Sequence, residues 1–131
     1  MRRFIISTLV AGLVMVPVSF AGTSPLTFDR GVLAVGHVLV GTTSEEAVTL
    51  TNSSSEALTV WGYEAFGYNG NFMVNPGSCT LRTILVPGQS CTFTVVTTPV
   101  ETGPIRGQFC YTAIGETTSG RECARIIGGA S

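Results

Sequence analysis

The chain has 131 residues and a formal net charge of −1, from seven arginines, eight carboxylates and no lysine. That length suits one domain and excludes a two-domain enzyme. The acidic balance argues against a nucleic-acid or anionic-membrane surface. At the N-terminus, Arg2 and Arg3 precede an apolar run from Phe4 to Val18, interrupted by Ser7, Thr8, Gly12 and Pro17, and Ser19-Phe20-Ala21 offers a small-residue cleavage site. This predicts a secretory signal peptide over Met1 to Ala21. The residues around Arg2-Arg3 match a twin-arginine signal poorly, so the ordinary export route is expected. The run falls short of the ~20 residues of a membrane-spanning helix and no second one follows, so no membrane span is expected. The expected mature domain, Gly22 to Ser131, keeps five arginines against eight carboxylates, a net charge of −3. It is expected to be periplasmic or extracellular.

From Gly22 onward, runs of β-branched and aromatic residues alternate with Gly, Pro, Asn and Ser, and no segment holds helical spacing over three turns. Strands are predicted at Leu26–Phe28, Val32–Val40, Ala47–Asn52, Ala57–Tyr63, Phe72–Val74, Thr80–Leu85, Ser90–Thr97, Arg106–Ile114 and Arg121–Ile127. Seven to nine strands in this length predict an all-β, immunoglobulin-like two-sheet sandwich. Alternation assigns the faces. Val38 and Val40, Val48 and Leu50, Leu58 and Val60, Phe93 and Val95, and Phe109, Tyr111 and Ala113 are expected inside. Asn52 to Glu56 reads as a polar break, and Pro87-Gly88 fits the centre of a type II turn.

Exported chains meet oxidising conditions, so Cys79, Cys91, Cys110 and Cys123 are read as two disulfides. Four cysteines allow three pairings. The local one, Cys79 to Cys91 and Cys110 to Cys123, is favoured because each spans two neighbouring predicted strands. Cys91 shares the inner face of its strand, which puts the first bridge at the core edge. Cys110 and Cys123 both point outward, which makes the second a cross-strand staple centred between Glu116 and Thr117. With no C-x-x-C and His37 as the single histidine, a zinc site is not expected, and neither a metal nor a cofactor is expected.

His37 is the one candidate general base, and it falls outward on a strand whose inner residues are Val38 and Val40. Glu45-Glu46 is the one adjacent carboxylate pair and reads as solvated. No nucleophile elbow or phosphate-cradling glycine loop occurs, so no catalytic residues are assigned. The segment Trp61 to Gly77 is richer. It reads as a loop in which Trp61, Tyr63, Phe66 and Tyr68 stand among glycines and asparagines, the mixture of rigid rings and adaptable polar groups used by binding loops. These four are the candidate binding residues, with Tyr68 the best exposed and Phe72 assigned to the core. The absence of lysine also leaves the sheet edges without a common blunting device, which invites strand addition.

The succession Val35-Gly36-His37-Val38-Leu39-Val40-Gly41-Thr42-Thr43-Ser44, Val48-Thr49-Leu50-Thr51-Asn52 and Ala57-Leu58-Thr59-Val60 is similar to the opening half of ASH/MSP-like immunoglobulin modules. In exported bacterial proteins these are often called choice-of-anchor D domains. Phe72, Cys79, Leu85-Val86-Pro87-Gly88-Gln89-Ser90-Cys91, Thr98-Pro99 and Gly103 continue the likeness, which runs from about Leu26 to Gly129. Ala34-Val35 and Val96-Thr97 depart from it where the family usually has aromatics, and Cys110 with Cys123 lies outside the general pattern. The resemblance implies a protein-interaction or structural module with no family active site to carry over. The expected function is an exported non-catalytic module with a protein partner in a cell-envelope or surface assembly. The alternative is a carbohydrate- or ligand-binding module using residues 61–77. A pilus chaperone is disfavoured by the single domain and the absence of a lysine anchor.

Overall fold

The computed structural model describes residues 24–131, which form nine strands and no helix. The expected signal peptide lies outside the described residues. The strands are β1 (Leu26–Phe28), β2 (Val32–Val38), β3 (Ser44–Asn52), β4 (Leu58–Tyr68), β5 (Asn71–Asn75), β6 (Ile84–Leu85), β7 (Ser90–Thr98), β8 (Gly103–Ile114) and β9 (Ser119–Ala130). They make a four-stranded sheet, β1-β3-β7-β5, packed on a five-stranded sheet, β2-β9-β8-β4-β6. All neighbours are antiparallel except β2 and β9, which run parallel. The predicted immunoglobulin-like sandwich is what forms. Among the described residues no helix is long and apolar enough to cross a membrane.

Period-two alternation builds the core, since every second residue of a strand faces the opposing sheet. Val48 and Leu50, Phe93 and Val95, Leu58 and Val60, and Phe109, Tyr111 and Ala113 are all buried, as their spacing predicts. Phe93 anchors the interior, its ring 4.5 Å from Tyr111, 5.8 Å from Phe109 and 5.7 Å from Phe28. Such tilted and edge-on contacts add to the area that each ring buries. Tyr111 spends its one polar atom on the carbonyl of Cys79, 3.1 Å away. Burial, with Tyr63 alongside, pushes its phenol pKa upward, so the hydroxyl stays a donor.

Both predicted disulfides are present, Cys79–Cys91 and Cys110–Cys123. The second joins residues directly opposite in the β8–β9 ladder, the register the hairpin argument requires. Cys110 lies on the outer side of its strand yet is buried, because its bonded partner and the strands on either side cover it.

The predicted polar break at Asn52 holds a buried plug. The Asn52 side chain donates to the carbonyls of Glu56 and Leu85 and accepts from the Ser54 amide, so a fully buried amide is satisfied. The Pro87-Gly88 turn closes through a bond from the Gln89 amide to the Val86 carbonyl, with Gly88 at φ 84°.

Several boundaries differ from the sequence reading. β2 stops at Val38, and Val40 is 39% exposed rather than inward, because Leu39 to Thr42 closes a turn through bonds from the Thr42 amide and hydroxyl to the Leu39 carbonyl. Only Ile84 and Leu85 of the predicted strand from Thr80 are extended, since Thr83 bonds back to Thr80 in a turn. The largest difference is in 61–77, where the two predicted strands ending at Tyr63 and starting at Phe72 extend to leave little loop. The segment comprises the second half of β4, a two-residue connection, all of β5 and Pro76-Gly77.

Candidate functional site

The course of β4 follows from one irregularity. Val60 pairs with Ala113 and Gly62 with Thr112, so Trp61 is an extra residue in a β-bulge. An extra residue shifts the alternation by one. Before the bulge the even-numbered Leu58 and Val60 are inside. After it the odd-numbered Tyr63 and Ala65 pack on the core, and Glu64, Phe66 and Tyr68 are exposed. Trp61, Phe66 and Tyr68 are 61%, 47% and 66% exposed.

The structure thus brings three of the four candidate residues onto one surface and withdraws the fourth. Tyr63 lies opposite Tyr111 in the ladder, ring centroids 5.3 Å apart, and packs on the core. Phe72 packs against the core as assigned.

A pair of glycines lets this strand end lie flat. Gly67 and Gly107 are partners across β4 and β8, and the ring of Phe72 covers both. A Cβ at Gly67 would stand 2.3 Å from the Arg106 carbonyl oxygen and 2.5 Å from the Gly107 Cα. After Tyr68 the chain crosses to the other sheet through Asn69, held at φ 62°. The Asn69 side chain donates to the carbonyls of Glu101 and Pro104 and accepts from the Glu101 amide, which pins the crossing to the start of β8.

Register places further groups beside the aromatics. Tyr68 lies opposite Arg106, which lies opposite Ile127, which lies opposite Ala34. The next outward row runs Phe66, Gln108, Arg125, Val32. The row after that is Glu64, Cys110, Cys123, with Glu64 bonded to Arg121. Arg106 and Arg125 sit diagonally from one another, and neither has a carboxylate partner among the described residues. Val32 and Ile127 add exposed apolar surface. The sequence reading missed Arg106, Gln108, Arg125 and Ile127, although placing Cys110 and Cys123 outward already implied that these four share their side.

The remaining candidates for chemistry stay apart. His37 is exposed on β2, as expected. Glu46 pairs with Arg30 at 2.9 Å, and Glu45 is exposed. No group of three or more metal-ligating side chains occurs among the described residues. The surface depressions are open, one of them about 390 Å³ and lined by Glu56, Ala57, Thr59, Ile114, Gly115 and Glu116. Glu56 is tied there to the β8–β9 turn, accepting from the amide and the hydroxyl of Thr117. Those two bonds hold its carboxyl down at about pKa 2. The arrangement sets exposed aromatic and arginine side chains on one face, and among the described residues no nucleophile is assembled with a base.

Comparison with known proteins agrees with this architecture. The family model for ASH, "Abnormal spindle-like microcephaly-assoc'd, ASPM-SPD-2-Hydin", matches residues 19–117. Among solved structures, the chain is similar to the human CEP192 ASH/PapD-like domain 7, with TM-score 0.63, 10% identity, and 88% of this chain and 91% of that one covered. It is similar to the Vibrio cholerae VesB protease, with TM-score 0.61 and 21% identity over 80% of this chain. There the likeness covers only 32% of the protease. The C. elegans MSP family member WR4 matches with TM-score 0.50 and 9% identity over 83% of this chain and all of that one. At these identities the likenesses establish the fold. A comparison with curated proteins returns no match.

Proposed function

Because the chain belongs to the ASH family of immunoglobulin-like interaction modules, we propose that it is an exported, non-catalytic module that binds a protein partner in a cell-envelope or surface assembly. Residues 22–131 are its domain and 1–21 its signal peptide. The observation that carries the reading is the outer face of the five-stranded sheet, where Trp61, Phe66 and Tyr68 stand exposed beside Arg106 and Arg125. Trp, Tyr and Arg dominate the energetics of protein interfaces, and charges without a partner in the free protein are available to one that binds. Two disulfides in so short a chain support an oxidising compartment, hence export. The likeness to a minor part of a protease supports a module of the kind that accompanies catalytic domains, rather than a catalytic domain.

A second reading, a carbohydrate-binding module, is favoured by one feature: exposed rings beside Glu64, Gln108 and Arg125 could stack on sugar faces while the polar groups bond hydroxyls. Truncating exposed rings leaves the fold intact, so Trp61→Ala and Tyr68→Ala should keep their thermal midpoints within a few degrees. Each should lose binding by roughly thirtyfold or more, the cost of a packed aromatic anchor. Pull-down of envelope proteins and a glycan array, run with wild type and both variants, separate the readings. Full retention of binding in both variants would remove this face as the site.

A further inference from the structure

The geometry points to a second function for β4: we propose that its free edge pairs with the same edge of a second copy, joining two five-stranded sheets into one of ten strands across a two-fold axis. On one side β4 pairs with β8 along its length. On the other it meets β6 only at Leu58 and Thr59, and the last bonds on that side join Val60 to Arg82 and Thr83. Among the described residues no backbone bond reaches the outer side of Trp61–Tyr68.

The other edges are protected. β1 has three residues and β6 two. β2 carries a register shift beside Gly36, which is at positive φ. β5 is five residues long and runs straight into Pro76. Short strands, bulges and prolines are the usual means of stopping edge-to-edge pairing. From Gly62 to Tyr68, β4 has no proline and no positive charge, and its one carboxylate, Glu64, is neutralised by Arg121.

Self-pairing has a preferred register. An axis at Glu64 would set two carboxylates opposite each other, which is destabilising. An axis at Phe66 would leave only Glu64 to Tyr68 overlapping before the chain turns away at Asn69. An axis at Ala65 pairs the whole of Gly62–Tyr68. It sets Tyr68 opposite Gly62 of the second copy, Tyr63 opposite Gly67, and Phe66 opposite Glu64, so large residues meet small ones and no like charges meet. Outward residues then face outward residues, as antiparallel pairing requires. Phe66 and Tyr68, at 47% and 66% exposure of rings worth ~150–250 Å² each, supply at most roughly 300–600 Å² over two copies. A specific interface needs about 1,000 Å². The paired strand backbones add to that area, so the interface lies at the small end of the range and the dimer is a weak one.

Sedimentation velocity on the purified full-length protein should show a monomer–dimer equilibrium as concentration rises through the micromolar range. All four cysteines are in disulfides, so a fifth can report register. Ala65→Cys should form a disulfide-linked dimer under mild oxidation, because paired Cα atoms lie about 4.5–5.5 Å apart, within disulfide reach. Tyr68→Cys should not, because its own copy across the axis is six residues away along the strand. Ala65→Pro would threaten the fold, so Phe66→Lys, outward and exposed, is the disrupting variant. It should stay folded by circular dichroism and sediment as a monomer. A wild type that is monomeric throughout, a dimer that survives Phe66→Lys, or cross-linking through residue 68 instead of 65 would overturn the proposal. Trp61→Ala, tested above for partner binding, leaves the Gly62–Tyr68 edge in place, so loss of a partner and loss of the dimer are separable.

Discussion

The two outer faces of this sandwich are made from similar strands and carry different chemistry. On the four-stranded sheet, the outward rows hold Thr27, Thr51 and Ser90, then Thr49 and Thr92, then Ala47, Thr94 and Asn75, then Glu45, Val96 and the exposed Met73. The hydroxyls of Thr51 and Ser90 bond to each other at 2.7 Å, and those of Thr43 and Thr98 at 3.2 Å. On the five-stranded sheet the equivalent rows hold tyrosine, phenylalanine, arginine, valine and isoleucine. Threonine satisfies the β-propensity of a strand while leaving its surface hydrated and neutral. Large exposed rings contribute nothing comparable to a solvated face, and their concentration on one side is the observation behind the proposed recognition face.

The comparison breaks most readily beneath the aromatic face. Gly67→Ala would drive a methyl group into the Arg106 carbonyl and the Gly107 Cα, both backbone, which cannot swing aside. We expect a loss of about 1–3 kcal/mol, the range for a core steric conflict, read by urea unfolding. Thr92→Ala on the opposite face should stay within ~0.5 kcal/mol. Equal effects would mean that the two faces rest on equally tolerant frames.

The disulfides sharpen the same contrast. They close loops of almost equal length, 12 and 13 residues, so chain entropy gives each roughly 3 kcal/mol. Their surroundings differ: Cys79 and Cys91 are both buried in the core, while Cys123 is partly exposed beside the aromatic face. Replacing Cys79 and Cys91 together by alanine should therefore cost more than the same change at Cys110 and Cys123. Under mild reductant the native protein should lose Cys110–Cys123 first, as mapped by alkylation and peptide mass. Simultaneous reduction would show that global unfolding, and not access, controls both.

Much of this frame was legible in the residues. Strict alternation in Val48-Thr49-Leu50 and Cys91-Thr92-Phe93-Thr94-Val95 fixes two strands and their faces, and the spacing of Cys110 and Cys123 fixes a hairpin register. Alternation failed at Trp61, where a single bulge reverses which parity faces the core. Without that reversal, Tyr63 reads as exposed and the glycines that follow read as a loop. Gly67 was read as a loop glycine because composition does not distinguish a glycine that bends the chain from one that an aromatic ring covers. Arg106 and Arg125 were not drawn together from the sequence, although the hairpin register set by Cys110 and Cys123 already places them diagonally on neighbouring strands.

The smallest expected effect lies at one end of the five-stranded sheet. Glu56 lies just before β4, and Thr117 lies in the turn joining β8 to β9, so the bonds between them tie the entry of β4 to the end of its neighbour β8. Those bonds need an ionised acceptor, which is why the carboxyl is held down to about 2 from its ordinary 4.5. A carboxyl whose folded pKa is depressed adds stability that is fully present above its unfolded value and is lost as pH falls through the folded one. The window is therefore pH 4.5 down to about 2. Because Glu56 is solvent-accessible, screening keeps the effect small. Thermal midpoints of wild type and Glu56→Gln should differ modestly at neutral pH, converge as pH falls through that window, and coincide near its lower end. A difference that stays constant with pH would mean that the side chain acts by shape alone, and that the link between the start of β4 and the β8–β9 turn does not depend on its charge.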